Sequence, residues 1–279
     1  MENIVNWKAL QKLTQFSTSQ KSAGGNMWDT DAVSKMYNKM SALEKHYTLN
    51  QINALPLLPT DDVLDFGCGP GRITVPVAMR VHSVTAADSA RLMLKLCKQN
   101  ADSAHLKNVT PLYLDFDNAV PEKDVGKHDV VICSRSAGLS DLEKLSSFSK
   151  RIVAINIWAN APSIPDLLGK LFAGTHDGSL FPVRKSDRRF GYNLFFNIVY
   201  DLGYEPNIHI VEDGFTCCYA TKEDAYADLI SLGEVDIDKT AIFQRNVDQF
   251  LTRNLDGGYT FLMETRSCIS WWDVTAKIY

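Results

Sequence analysis

The sequence predicts an α/β fold, and two observations carry that expectation. The first is the stretch Asp61-Asp62-Val63-Leu64-Asp65-Phe66-Gly67-Cys68-Gly69-Pro70-Gly71-Arg72. Its apolar run from Val63 to Phe66 has the make-up of a buried strand, the alternate glycines make a turn, and Ile73, Val75, Val77, Ala78 and Met79 begin an apolar helix. The second is alternation. Strands are expected at residues 82–87, 109–114, 128–133 and 152–157, with helices at 90–99 and 142–148 inside the first and last pairs.

A strand, a glycine turn and a helix start let backbone approach a nucleotide-like ligand closely. The glycine spacing selects the ligand. A dinucleotide fingerprint is G-x-G-x-x-G, whose helix start receives a pyrophosphate. Here the third glycine comes one residue early, and the acid Asp65 stands just before the turn. A carboxylate there opposes a diphosphate and suits an ammonium or a sulfonium. The spacing therefore disfavours an NAD-dependent dehydrogenase.

On Asp65-Phe66-Gly67-Cys68-Gly69-Pro70-Gly71 the sequence resembles the class I S-adenosylmethionine-dependent methyltransferases, whose first motif is an acid followed by G-x-G-x-G. The resemblance runs from about Met27 to Val211. It implies a doubly wound, mostly parallel, Rossmann-like sheet of seven strands, with an antiparallel strand near the carboxyl end. It also implies S-adenosylmethionine as cofactor and S-adenosylhomocysteine as product. Gly67, Cys68, Gly69 and Gly71 would line the cofactor. Asp88, at the second strand end, would accept the ribose hydroxyls, with Ser89 beside it; a helix-capping role is the alternative for Asp88. Where the family often places a serine helix cap, this chain has Ala90. Asp115 and Phe116 match the adenine-binding pair, or are turn residues. Ser134 ends the fourth strand, beside the methionine part and the acceptor. The family's N-P-P-Y variant is absent after that strand, which removes the clearest sign of an adenine-N6 or glutamine methyltransferase.

Residues 1–55 read as an amino-terminal helical lid segment. Met1–Phe16 forms a short helix, Ser17–Asn26 a connector, and Met27–Leu55 a long helix capped by Asp29 or Thr30, with Val33, Met36, Tyr37, Met40 and Leu43 at helical spacing. In related methyltransferases such a segment folds over the cofactor. Trp28 and Tyr37 would touch it, or are ordinary core aromatics. Residues 56–279 form the methyltransferase domain with cap insertions at about 158–190 and 221–254. The first insertion fits no simple element, being rich in proline, glycine and charge, and carries Arg184-Lys185-Ser186-Asp187-Arg188-Arg189. A helix at Tyr192–Leu202, a strand at Asn207–Val211, helices at 221–232 and 240–254, and strands at Tyr259–Glu264 and Ser270–Ile278 complete the chain. Extended backbone puts Trp271 and Trp272 on opposite faces, both as packing residues.

With 279 residues, 45% hydrophobic and 22% charged, the chain suits one large or two small soluble domains, and a net charge of -4 argues against a nucleic-acid partner. Six scattered cysteines with no C-x-x-C pair suit reduced cytoplasmic thiols rather than a metal site. No apolar run approaches the ~18 residues that span a bilayer. The amino terminus lacks the basic start and apolar core of a secretory signal.

Methyl transfer from a sulfonium is an in-line displacement, so the protein mainly aligns the acceptor and excludes water. A base is needed only for a protonated acceptor. Tyr37, Arg135, His176 (with Asp177 as a partner) and Tyr192 are the polar candidates near the acceptor. The expected activity is a cytoplasmic methyltransferase acting on a small molecule. An RNA or protein methyltransferase, or a non-catalytic cofactor-binding module, are the alternatives. A homodimer stays open.

Overall fold

The structure is a computed structural model. It describes residues 5–14, 26–176, 191–255 and 257–278. The basic run at 184–189 and Asp177 lie outside the described residues.

Five parallel strands form one half of the sheet: β1 (Asp62–Phe66), β2 (Ser83–Asp88), β3 (Val109–Tyr113), β4 (His128–Ser134) and β5 (Ser149–Trp158). Two long strands, β6 (Asn207–Tyr219) and β8 (Tyr259–Asp273), complete the order β3-β2-β1-β4-β5-β8-β6. A short β7 (Leu251–Arg253) pairs with β8 off this path. β8 runs antiparallel to both β5 and β6. The order reverses at β1, and the crevice at that switch point is where open α/β sheets bind ligands.

Alternation along the strands sends neighbouring residues to opposite faces. On one face Val63, Val84, Val130, Ile132 and Ala154 pack under α2 (Asp31–Asn53), α3 (Thr74–Ala78) and α4 (Arg91–Ser103). On the other, Leu64, Phe66, Val131, Val153 and Ile155 pack under α5 (Leu142–Ser147) and α7 (Tyr192–Asp201). Trp272 is fully buried on the second face and donates from Nε1 to Ser146 Oγ at 3.1 Å, while Trp271 packs against the first. α1 (Trp7–Thr14) sits near α7 and α5, with Lys8 paired to Glu143 at 2.8 Å and Gln11 donating to the Leu139 carbonyl at 2.8 Å.

Three expectations need correction. The strands expected at 259–264 and 270–278 are one strand, β8, and β6 runs on to Tyr219. The polar stretches that read as breaks pair in mid-sheet, Glu212 with Arg266, Asp213 with Thr265 and Gly214 with Glu264. Asp213 and Ser267 are fully buried there. At Gly214, with φ +148°, a Cβ would stand 2.0 Å from the Met263 carbonyl oxygen, so only glycine permits this pairing. Second, the insertion after β5 contains a helix, α6 (Ile164–Leu171). Pro165 reads as a breaker but lies in the first turn, where no backbone N–H is missed; Ser163 and Asp166 cap each other reciprocally. Third, the last expected helix ends early: α9 spans Thr240–Asp248, and β7 follows it.

The cap elements form a core of their own. Met40 and Leu43 of α2 join Leu167 and Leu168 of α6, Leu229 of α8 (Lys222–Leu229), Phe243 of α9, and Phe215, Phe261 and Met263 of the long strands.

Candidate functional site

The glycine turn lies at the carboxyl end of β1. All three glycines have positive φ: Gly67 +75°, Gly69 +54° and Gly71 +91°. Their surroundings differ. A Cβ on Gly67 would stand 2.3 Å from Ser136 Cβ, and one on Gly71 would stand 3.0 Å from Cys97 Sγ. A Cβ on Gly69 would meet nothing within 4 Å. Gly67 and Gly71 are therefore glycines for packing, whereas Gly69 faces open space.

Asp65 is 1% exposed on the α3 side of the sheet. Its Oδ2 accepts from Thr74 Oγ1 at 2.6 Å, and its Oδ1 is buried without a hydrogen-bond partner. Burial raises its pKa to about 6, against the opposing effects of Thr74 and Arg72. Such a group is an acceptor awaiting a donor, ideally a cationic one. The Cys68 thiol is buried; its hydrogen bond with Cys97, reinforced by burial, raises its pKa.

Asp88 ends β2 and faces the same turn. Its Oδ2 accepts from Gly69 N at 2.9 Å and its Oδ1 from Ala90 N at 2.8 Å. Each oxygen keeps further acceptor capacity. Burial raises its pKa, and the Gly69 and Ala90 amides oppose that shift. Asp88 does not cap α4, whose cap position is Ala90; its Oδ1 holds the Ala90 amide in the turn before the helix. The Ser89 carbonyl accepts from Asn26 Nδ2 at 3.0 Å. Asp29 does not cap the long helix. Its Oδ1 accepts instead from Leu92 N, in the first turn of α4, at 2.8 Å. Thr30 holds the helix-cap position of α2 without a side-chain capping bond; its hydroxyl donates to the Met27 carbonyl at 3.2 Å. Trp28 meets Tyr37 edge to face, 4.9 Å between centroids.

At the β3 end, the Asp115 carboxylate holds its own turn, accepting from Asn118 Nδ2 at 2.8 Å and Asp117 N at 3.2 Å. Phe116 is 3% exposed and packs edge to face on Phe66. It has no free ring face to offer, only its backbone.

Beyond Ser134 lies a buried ionic network that sequence reading did not find. Arg72 donates to Gln51 Oε1 at 2.7 Å and Ser134 Oγ at 2.6 Å, and stands 3.5 Å from Glu44. Arg135, with φ +52°, donates to Glu44 Oε2 and Ser267 Oγ, each at 2.8 Å, and pairs with Asp213. Its guanidinium lies 3.6 Å over the Trp158 ring centroid. Burial pushes the Asp213 carboxyl up, but the Arg135 and Arg72 charges outweigh this and hold it below the ordinary range. The signal was present: Glu44 falls among Met40, Leu43, Tyr47 and Thr48 on the buried side of α2.

Of the four acceptor-side candidates, Tyr37 and Arg135 are brought near Glu44, and burial, then Glu44, raises the Tyr37 pKa to about 12. Arg135 is engaged by two carboxylates and is a strut of the network. Tyr192 starts α7 and packs near Ile157 and Ala159 at the β5 end. His176 lies in the cap, 2.8 Å from Asp236 and 3.2 Å from Glu234. Among the described residues no His, Cys, Asp and Glu group is arranged to hold a metal ion, and no helix is long and apolar enough to cross a membrane.

The family model "Methyltransferase domain" matches residues 63–155. An uncharacterized protein of Haemophilus influenzae is 28% identical over 218 residues, 75% of each chain. A probable cobalt-precorrin-6B C(15)-methyltransferase of Methanococcus vannielii is 27% identical over 122 residues, 43% of this chain and 67% of that one. A 23S rRNA (uracil(1939)-C(5))-methyltransferase of Haemophilus influenzae is 32% identical over 83 residues, 30% of this chain but only 19% of that protein. Among solved structures, the YcgJ protein of Bacillus subtilis superposes with a TM-score of 0.50 at 16% identity, over 82% of this chain and 97% of its own, which speaks to the fold alone. With the strand order and the glycine turn, the matched stretch gives this chain a methyltransferase domain of the class I, Rossmann-like fold.

Proposed function

We propose that this methyltransferase acts on a small molecule in a reducing cytoplasm. The residues at the crevice fit the cofactor on one observation above others: a buried carboxylate oxygen, Asp65 Oδ1, that lacks a donor beside a glycine turn with room at Gly69. Asp65 would hold the amino group of the methionine part, and Asp88 the ribose hydroxyls. Gly69 leaves the approach open, and Trp28 and Tyr37 wall the crevice from the lid side. S-adenosylmethionine, when bound, supplies an activated methyl group on a sulfonium. The protein's share is then to orient the acceptor and keep water out. The Tyr37 hydroxyl, held protonated by burial and Glu44, serves as a donor there and not as a base.

The cap supports the small acceptor. α6, α8 and α9 pack with α2 and the long strands as one apolar cluster that includes Trp158, next to the ends of β4 and β5. Such a roof suits an enclosed acceptor better than a polymer lying across an open face. The Methanococcus vannielii relative is named for a small-molecule acceptor. The match to the rRNA methyltransferase stops at 83 residues, so its acceptor carries little weight here. The six cysteines are unpaired, which suits the cytoplasm.

The test is methyl-labelled S-adenosylmethionine with the enzyme and fractionated cell extract. Label is expected in the fraction that passes a small-pore filter. Label confined to RNA or protein would overturn the acceptor class.

A further inference from the structure

α4 begins without a cap of its own. Ala90 occupies the cap position and has no side chain to offer the first turn. The missing acceptor arrives from far away in sequence, as Asp29 Oδ1 bonds Leu92 N at 2.8 Å. Asn26 holds the same turn of chain in place. Its Oδ1 accepts from Trp28 N at 3.1 Å, its carbonyl accepts from Asp29 N at 2.9 Å, and its Nδ2 donates to the Ser89 carbonyl at 3.0 Å. The helix start they clamp is the one that orients Asp88, whose two oxygens bond Ala90 N and Gly69 N. Hydrogen bonds and the first turn of α4 thus connect Asp29 to the glycine turn through Leu92, Ala90 and Asp88.

We propose that Asp29 is a positioning residue for the ribose end of the cofactor site, acting by capping α4 from the amino-terminal segment. This rests on the reading that Asp88 receives the ribose. Docking of residues 26–29 and a correctly aimed Asp88 are then one event. Loss of the cap frees the first turn of α4 and with it the peptide units of Ser89 and Ala90 that fix the Asp88 carboxylate. Asn, also a good cap residue, preserves the acceptor oxygen.

Calorimetry on the full chain tests this with two ligands: S-adenosylhomocysteine, and 5′-methylthioadenosine, which has the ribose and adenine but no amino-acid end. Asp29→Ala is expected to weaken both by the same factor, about fivefold, while Asp29→Asn stays within about twofold of the parent. In an Asp88→Ala background, Asp29→Ala should add less than about twofold, because the residue it positions is gone. Should Asp29→Ala fail to fold, Asn26→Ala, which cuts the bond to Ser89, is expected to show the same equal loss for the two ligands. Parental affinity in Asp29→Ala, a loss confined to S-adenosylhomocysteine, or full additivity with Asp88→Ala would overturn the proposal while leaving the ribose reading intact. Parental affinity in Asp88→Ala itself would remove the ribose reading and the proposal together.

Discussion

Three side chains in the crevice do different work, and each has its own test. Asp65 titrates at about 6 in the unliganded protein because it is buried, so at lower pH it is protonated. A bound ammonium requires the carboxylate. Binding of S-adenosylhomocysteine should therefore release a proton below pH 6 and weaken about tenfold per pH unit there. Calorimetry in buffers of differing ionisation heat reads that proton, and Asp65→Asn should abolish the dependence. The same raised value sets the sign for stability: between the ordinary carboxyl range and about 6 the native state holds the extra proton, so this group's contribution falls as pH rises through that window. Asp88→Ala should weaken cofactor binding by on the order of 1–3 kcal/mol, from lost charged acceptors. The glycines separate binding from folding. Gly69→Val should lose detectable binding and destabilise the fold only by the strain of its φ of +54°, about 1–2 kcal/mol, since its Cβ meets no protein atom within 4 Å. Gly67→Ala should destabilise the fold by more, about 2–5 kcal/mol, since overlap with Ser136 adds to the strain of its φ of +75°. Equal melting losses in both would contradict this division.

At the scale of elements, α2 is bolted to the sheet rather than hinged over it. Glu44 reaches Arg72 and Arg135, which in turn reach β4, β6 and β8 through Ser134, Asp213 and Ser267. Removing one member leaves a buried charge short of a partner. Arg135→Leu should destabilise by roughly 3–5 kcal/mol in denaturant unfolding. A loss below about 1 kcal/mol would mean that water reaches Glu44 and Asp213. What could be read from sequence follows the same division. Strands β1, β4 and β5 were legible because burial on both faces leaves short apolar runs, and β2 because Val84, Ala86 and Ala87 are buried beside the acid that ends it. The continuity of the β6–β8 pair was not, because Asp213 and Ser267 are polar for the sake of Arg135 and so imitate a loop. α6 was missed although Ser163-Ile164-Pro165-Asp166 carries capping-box spacing, because Pro162, Pro165 and Gly169 read as breakers.

For the molecule as a whole, the cofactor half was legible and the acceptor half was not. Asp65, Gly69 and Asp88 do converge on one crevice, because strand ends in a parallel sheet are brought together by register: Asp65 pairs with Ala86, and Phe66 with Ala87 next to Asp88. Asp115 and Phe116 follow the end of β3, where a turn engages the first side chain and the core the second. Asn26 was read as connector and Asp29 as a cap of the long helix, because a cap supplied across 63 residues leaves no local pattern. His176 and Tyr192 come to different places, the cap and the β5 end. The account stands on the claim that the crevice at the carboxyl ends of β1 and β2 holds the adenosyl group by carboxylates and an open glycine, without phosphate. A crystal structure with S-adenosylhomocysteine measures this most directly. The account predicts the ribose hydroxyls on Asp88, the amino group on Asp65 Oδ1 and the chain of the ligand passing over Gly69; a ligand bound elsewhere, with both carboxylates untouched, would contradict it.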